Sequence, residues 1–314
     1  MHEKLALWGL VPVRPRPDLN LPGSPERCVK RVAVEDHKGR VWMLERLHAT
    51  QPERRQRIGA LLDHLVQAGV SVPAYRALPG GAYVTEADGF HWQISPYVAG
   101  TPLPQPDYVD HAERGEALGR FLADLDCAVR DFPEYAPEPD MALHAFVDEL
   151  MAGLRRRHPD VHEALAGPRQ VLEPLLSTWS DLPSAVRHGD FHPLNVIWQD
   201  RTVAAVVDWE FSGVRPRLYD LANCLGCVGI EDPDAFANGL APAMLRVLRD
   251  RDCLDPASLE LLPHLILGLR FAWMAEWLRR RDGEMVNLEI QYMRLLADNR
   301  VGLGRLLRHV LETG

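Results

Sequence analysis

The sequence predicts a two-lobed α+β fold, strand-rich in its first third and mainly helical after it. Three observations predict it. Residues 27–34 and 40–47 are β-prone runs separated by Glu35-Asp36-His37-Lys38-Gly39, a polar turn that ends in glycine. From Asp107 onward the apolar residues recur at helical spacing, as in Leu118, Phe121, Leu122, Leu125 and Val129. At 314 residues the chain exceeds one typical core. Strands first and helices after argue against a βαβ sheet.

The elements follow in order. Leu21-Pro22-Gly23-Ser24-Pro25 is a turn ahead of the first strand. In the second strand, alternation puts Met43 and Glu45 on one face and Leu44 and Arg46 on the other. Residues 53–68 read as a helix, with a polar start (Glu53-Arg54-Arg55-Gln56-Arg57) and Ile58, Leu61, Leu62, Leu65 and Val66 at helical spacing. Gly69-Val70-Ser71-Val72-Pro73 stops it. Turns follow at Pro79-Gly80-Gly81 and Asp88-Gly89, and residues 92–103 run through Pro96 and Val98 to Gly100-Thr101-Pro102-Leu103. Later helices are expected to span parts of 143–157, 170–179, 234–249, 259–281 and 287–311. Among them, residues 196–198 and 203–207 read as two short strands joined by Gln199-Asp200-Arg201-Thr202.

Composition narrows the function. Hydrophobic residues at 46% and charged residues at 25% are ordinary for a globular protein. A formal charge of −9 argues against nucleic acid as a partner, which requires a basic surface. No apolar run has the length to cross a bilayer, and the first residues lack the pattern of a secretion signal, so the expected setting is cytoplasmic and without a membrane partner. Five cysteines form no disulfide framework. Cys224-Leu225-Gly226-Cys227 lacks a second pair and reads as small core residues. Composition says nothing of the oligomeric state.

The chemistry concentrates in His188-Gly-Asp-Phe-His-Pro-Leu-Asn195 and Val206-Val-Asp-Trp-Glu210. Asp190 and Asn195 stand at the D-x-x-x-x-N spacing of a phosphoryl-transfer loop, and Asp208 lies thirteen residues further on, where a second metal carboxylate is expected. Such transfer is mostly positioning and charge neutralisation. One carboxylate must receive or orient a hydroxyl, which assigns Asp190. Magnesium takes hard oxygen donors and keeps several waters, so Asn195 and Asp208 suffice as protein ligands, and the intervening hairpin would bring them to one end. A competing reading takes His188, Asp190 and His192 as part of a hydrolase zinc site, but it leaves Asn195 and Asp208 unexplained.

HGDFHPLN, VVDWEFSG and Tyr219-Asp220-Leu221-Ala222 together resemble the aminoglycoside phosphotransferase and choline kinase-like superfamily, which includes homoserine kinases of the second type. The resemblance implies a protein-kinase-like fold with a nucleotide-binding lobe (1–98) and a catalytic and acceptor-binding lobe (99–314). It implies Mg2+ as cofactor, ATP or GTP as co-substrate, and a small hydroxyl-bearing acceptor as partner. Asp190 would be catalytic, Asn195 and Asp208 would hold magnesium, and His188 and Asp220 would support the loop. Gly23 and Ser24 correspond to a phosphate-covering turn and Val29 to the strand it leads into. The Pro96 carbonyl and Val98 amide correspond to an adenine-binding hinge.

Two positions depart from the family pattern. Its members usually place a phosphate-holding lysine where this chain has Glu45, and the ungapped match puts Ile58 where the partner glutamate belongs. The chain's lysines are Lys4, Lys30 and Lys38 alone. One expectation is a reversed pair, Glu45 with Arg57 or Arg54, leaving Arg31 or Arg46 to meet phosphate. The other is a nucleotide-binding or scaffold protein without turnover. The acceptor candidates are His192, Trp209, Glu210, Tyr219, Trp273, Glu276 and Trp277, because aromatic and carboxylate groups can hold a cationic alcohol.

Overall fold

Apolar alternation and an aspartate-closed turn build the N-terminal sheet. The computed structural model describes residues 2–19, 21, 28–130, 132 and 143–313. After α1 (His2–Ala6), five strands pair antiparallel: β1 (Pro12–Pro15), β2 (Lys30–Asp36), β3 (Val41–Arg46), β4 (Val84–Ala87) and β5 (Phe90–Pro96), in the order β1-β2-β3-β5-β4. The buried Asp36 carboxylate fixes the β2–β3 turn by accepting the Lys38 and Arg40 amides at 2.9 and 3.0 Å and Trp42 Nε1 at 3.0 Å. Gly39 supplies the left-handed residue there, with φ +74. On one face of the sheet Val34, Trp42, Leu44, Trp92 and Ile94 pack with Leu5, Trp8 and Leu10. The sequence pattern does not announce α1 or β1, since Pro-Val-Arg-Pro pairs only at the sheet edge, where prolines are tolerated.

Helix α2 (Pro52–Gln67) starts with proline in its first turn and buries Ile58, Leu61, Leu62 and Leu65. Gly59 is needed for a close approach: a Cβ there would lie 2.4 Å from the Tyr83 ring.

The rest of the chain adds α3 (Ala112–Ala128), α4 (Leu143–Arg157), α5 (Pro159–Val171), α6 (Glu173–Thr178), β6 (Ser184–Arg187), β7 (Val196–Gln199), β8 (Thr202–Val206), β9 (Gly213–Pro216), α7 (Tyr219–Glu231), α8 (Leu240–Asp250), α9 (Pro256–Arg280) and α10 (Gly283–Glu312). β6 pairs with β9 and β7 with β8, both antiparallel. Two of the expected helices occupy only part of their windows. The one at 170–179 is the end of α5 followed by the short α6, each opened by a proline in its first turn. The one at 234–249 begins at Leu240, because Gly239 has φ +65 and interrupts the run. Cys224 and Cys227 are free thiols on α7, the first buried and the second half-buried.

The chain forms two compact units. One comprises Met1–Pro102, Cys127–Tyr135 and Asn195–Ser212, and so includes the β7–β8 hairpin. The other comprises Leu103–Asp126, Ala136–Leu194 and Gly213–Gly314. Among the described residues no helix is long and apolar enough to cross a membrane.

Candidate active site

In the second unit the loop after β6 is held by one carboxylate. Asp220, in the first turn of α7, accepts the His188 amide at 2.7 Å and the Gly189 amide at 2.9 Å, one on each oxygen. Gly189 permits this with φ +83. His188 is fully buried, and its Nδ1 accepts the Asp190 amide at 3.1 Å. Phe191 stacks on Phe121 with ring centroids 5.4 Å apart and planes 3° from parallel. Beneath β6, Asp126 joins Arg187 and Arg217, the latter at 2.7 Å. Burial pushes the Asp126 carboxyl up, but the hydrogen bonds from Arg217 and Arg187 outweigh it and hold it below the usual carboxylate range. The loop is therefore anchored on both sides of Asp190, whose own side chain keeps about a quarter of its exposure, at 23%.

His192 follows two residues later, with Nε2 3.7 Å from Asp190 Oδ1 and its ring edge-on to Trp273 at 5.5 Å. Trp273 Nε1 donates to Asn223 Oδ1 at 3.3 Å, and Asn223 Nδ2 donates to the Phe191 carbonyl at 3.2 Å. Trp277 packs on Trp273 and donates to Glu289 at 3.1 Å. Glu289 is fully buried and takes the buried Arg270 guanidinium on both oxygens, at 2.6 and 2.5 Å. Glu276 is tied to Arg279 and Arg280, with Arg279 first in lowering its carboxyl. Tyr219 lies under Arg215, and burial pushes its phenol up to about 12. Asn223 is absent from the candidate set, although its position one turn after Asp220 on α7 is a signal for it.

The first unit holds the expected metal ligands on one hairpin. The Asn195 carbonyl accepts the Val207 amide at 2.9 Å, next in line after the Val196–Val206 pair, so Asn195 and Asp208 stand at the same end. Asp208 adopts the left-handed conformation (φ 72, ψ 48), which aspartate tolerates better than most residues. Trp209 is buried and its Nε1 donates to the Val206 carbonyl at 2.9 Å, a brace within the segment. An amide and a carboxylate at one hairpin end fit a magnesium ion that completes its shell with water and phosphate oxygens. Among the described residues no group of three or more His, Cys, Asp or Glu side chains is arranged to hold a metal.

The same unit contains a buried chain of alternating charges. Glu45 pairs with Arg31 at 2.6 Å and accepts Gln93 Nε2 at 2.6 Å. Arg55 lies 4.0 Å from Glu45, 2.6 Å from Glu210 and 2.9 Å from the Tyr75 hydroxyl. Burial alone would raise the Glu45 carboxyl; Arg31 and Arg55 overcome that and hold it below its usual value. The reversed pair exists, but the helix residue that completes it is Arg55, one turn before Ile58. Helical phase carries that signal, because Arg55, Ile58 and Leu62 share a stripe. Arg31, expected to meet phosphate, is engaged by Glu45. Arg46 lies over the Phe90 ring at 4.7 Å. Glu210, an acceptor candidate, is the partner of Arg55. Val29 is exposed and pairs its amide with the Arg46 carbonyl at 2.8 Å. Pro96 ends β5, and Val98 follows Tyr97, whose amide donates to Val41 at 2.9 Å. Gly23 and Ser24 lie outside the described residues.

Comparison with known proteins places these segments in a family. The model of the phosphotransferase enzyme family matches residues 29–257. A homoserine kinase of Methylorubrum populi is 29% identical over 248 residues, covering 76% of this chain and 75% of the relative. Among solved structures, the amicoumacin kinase hAmiN in complex with AMP-PNP, Ca2+ and Ami superposes with a TM-score of 0.69 at 14% identity, covering 95% of this chain and 92% of that one. The microcompartment-associated aminopropanol kinase gives 0.62 at 18% identity, with 97% and 98% covered. These likenesses establish the protein-kinase-like α+β fold, with a β-rich N-terminal sheet and a helical C-terminal region. The family match runs from the residue before β2 into α9 and takes in Glu45, Asp190, Asn195, Asp208 and Asp220: the chain belongs to the phosphotransferase enzyme family.

Proposed function

We propose that this phosphotransferase is a magnesium-dependent kinase that moves the γ-phosphate of ATP to the hydroxyl of a small, amine-bearing alcohol. The observation that carries the reading is the Asp220 carboxylate, which takes two consecutive amides and so sets the loop that presents Asp190. In this reading Asp190 receives the acceptor proton as the hydroxyl oxygen bonds to the γ-phosphorus and the bond to the bridging oxygen of ADP breaks. Asn195 and Asp208 hold magnesium, which when bound neutralises charge on the phosphates. His188 and Asp220 support the loop. Residues 1–98 serve nucleotide binding, with Pro96 and Val98 on the adenine edge, and residues 99–314 serve catalysis and acceptor binding.

The amine-bearing acceptor is supported by the homoserine kinase relatives and by the aminopropanol kinase among the fold neighbours. In this chain His192 stands beside Asp190 with its ring edge-on to Trp273, and the two rings offer an aromatic wall of the kind that receives a cationic group. Trp277 and Tyr219 extend the candidate wall. The second reading, a nucleotide-binding protein without turnover, draws on Glu45 in the strand. Its pairing with Arg31 and Arg55 removes the bare charge that would repel a triphosphate, and this favours the catalytic reading.

The test is ADP release with ATP or GTP and a panel of L-homoserine, aminopropanol, choline, an aminoglycoside and amine-free sugars. Turnover on an amine-bearing alcohol, lost in Asp190→Asn, is the expected result. Turnover confined to amine-free sugars would overturn the acceptor class, and nucleotide binding with no turnover on any acceptor would favour the second reading.

A further inference from the structure

Asp208 sits in a left-handed conformation between a hydrogen-bonded ladder and a single 3-10 turn, Trp209–Phe211. Such a segment keeps its geometry only if its surroundings over-determine it. On the ladder side, the Val207 amide is bound to the Asn195 carbonyl at 2.9 Å. On the other side, Glu210 leaves the segment and meets Arg55 of α2 at 2.6 Å. That bond is one-sided: Glu210 Oε1 takes Arg55, while Oε2 is buried without a hydrogen-bond partner. Arg55 is in turn fixed by the Tyr75 hydroxyl at 2.9 Å and faces Glu45 at 4.0 Å. Glu45 is held by Arg31 across the β2–β3 ladder and by Gln93 from β5. Signs alternate along Arg31, Glu45, Arg55 and Glu210, so the chain of charges is neutral. Its members are 12%, 5%, 2% and 16% exposed at the side chain, which leaves little solvent to screen a missing partner.

We infer that Arg55 is a positioning residue for the metal-bearing segment: it holds Glu210, and through Glu210 the Asp208 backbone, while Glu45 and Arg31 hold Arg55. The inference rests on the proposed role of Asp208 and adds a cause for its placement. Carboxylate ligands are generally oriented by groups behind them, and loss of such a group weakens metal binding without removing a ligand. Here the orienting contact acts along the backbone rather than on the ligand's own oxygens. Glu45 of β3 and Arg55 of α2 are committed to this contact chain.

The experiment is a Mn2+ titration in the presence of ATP, followed by electron paramagnetic resonance, on wild type and on Asp208→Asn, Glu210→Gln, Arg55→Met and Arg55→Lys, with thermal melts on each. Glu210→Gln and Arg55→Met should weaken Mn2+ binding about tenfold or more, and Arg55→Lys should recover part of it. A purely structural role would lower the melting temperature of these variants and leave the metal affinity of the folded protein unchanged, which would overturn the inference. Should Arg55→Met fail to fold, Glu210→Gln, which keeps shape and an acceptor, carries the same test. Asp208→Asn separates the two levels. If it leaves Mn2+ affinity unchanged, the metal assignment itself falls; if it alone weakens binding, only the positioning role falls.

Discussion

Glu45 and Arg31 stand directly opposite each other across β2 and β3, and the carboxylate meets the guanidinium at 2.6 Å. The strand position that the resemblance matches to a family cation therefore carries an anion already paired with Arg31. Installing lysine in place of Glu45 would not repair a missing group. It would set a new ammonium against Arg31 and near Arg55, three cations in a buried site with Glu210 as the nearest counter-charge.

Glu45→Lys should therefore destabilise the protein by about 3 kcal/mol or more, the scale for breaking a buried ion pair, and weaken nucleotide binding. Urea denaturation with calorimetry of the folded fraction measures both. A stable variant with tighter ATP binding would contradict the strut role of Glu45.

Asp190→Asn should keep the loop, because the amides of His188 and Gly189 remain on Asp220. Turnover should fall by about 10²–10⁴, with Mg·ATP binding within a few-fold of wild type. Single-turnover kinetics with a responsive acceptor measures the first, and calorimetry the second.

Asn223 links Trp273 to the Phe191 carbonyl, one residue after Asp190. Asn223→Ala should lower kcat by about tenfold, by letting the reacting carboxylate shift, and leave the KM for nucleotide unchanged. Trp273→Phe keeps a ring for His192 but loses the indole donor, so it should show a milder form of the same split. Steady-state kinetics in both substrates reads it, and a change confined to the nucleotide KM would place Asn223 elsewhere in the mechanism.

Asp126 and Glu45 both hold their carboxyls below the usual range because arginine partners outweigh burial. A carboxyl depressed in the folded state stabilises above its unfolded pKa of about 4 and loses that contribution as pH falls through the folded value. Acid unfolding should therefore set in below about pH 4. Asp126→Asn, which strands Arg187 and Arg217, should cost about 3 kcal/mol at pH 7, and the gap to wild type should narrow as pH falls below 4. Urea titrations at pH 7, 5 and 3.5 measure the trend; a gap that widens in acid would refute it.

The β2–β3 hairpin, the β7–β8 hairpin and α2 are legible in the sequence because each rests on local alternation, turn chemistry or helical phase. β6 and β9 are not, since each pairs with a strand some thirty residues away and neither has a pattern of its own. Asp190, Asn195 and Asp208 stand out by spacing, and Asn223 is readable only from its place one turn after Asp220 on α7, whereas Asp126 acts through contacts with Arg187 and Arg217 that no local pattern announces. Arg55 lies between the two cases: its phase with Ile58 is readable, but the choice among Arg54, Arg55 and Arg57 depends on which one reaches Glu210.

The most direct test is calorimetric titration of ATP into the wild-type protein and Asp208→Ala, each with and without Mg2+. Wild-type protein should bind ATP with Mg2+ and at least tenfold more weakly without it, and Asp208→Ala should lose that dependence on the metal. Absence of ATP binding to wild type, or equal binding with and without Mg2+, would contradict the assignment of this chain as a magnesium-dependent kinase.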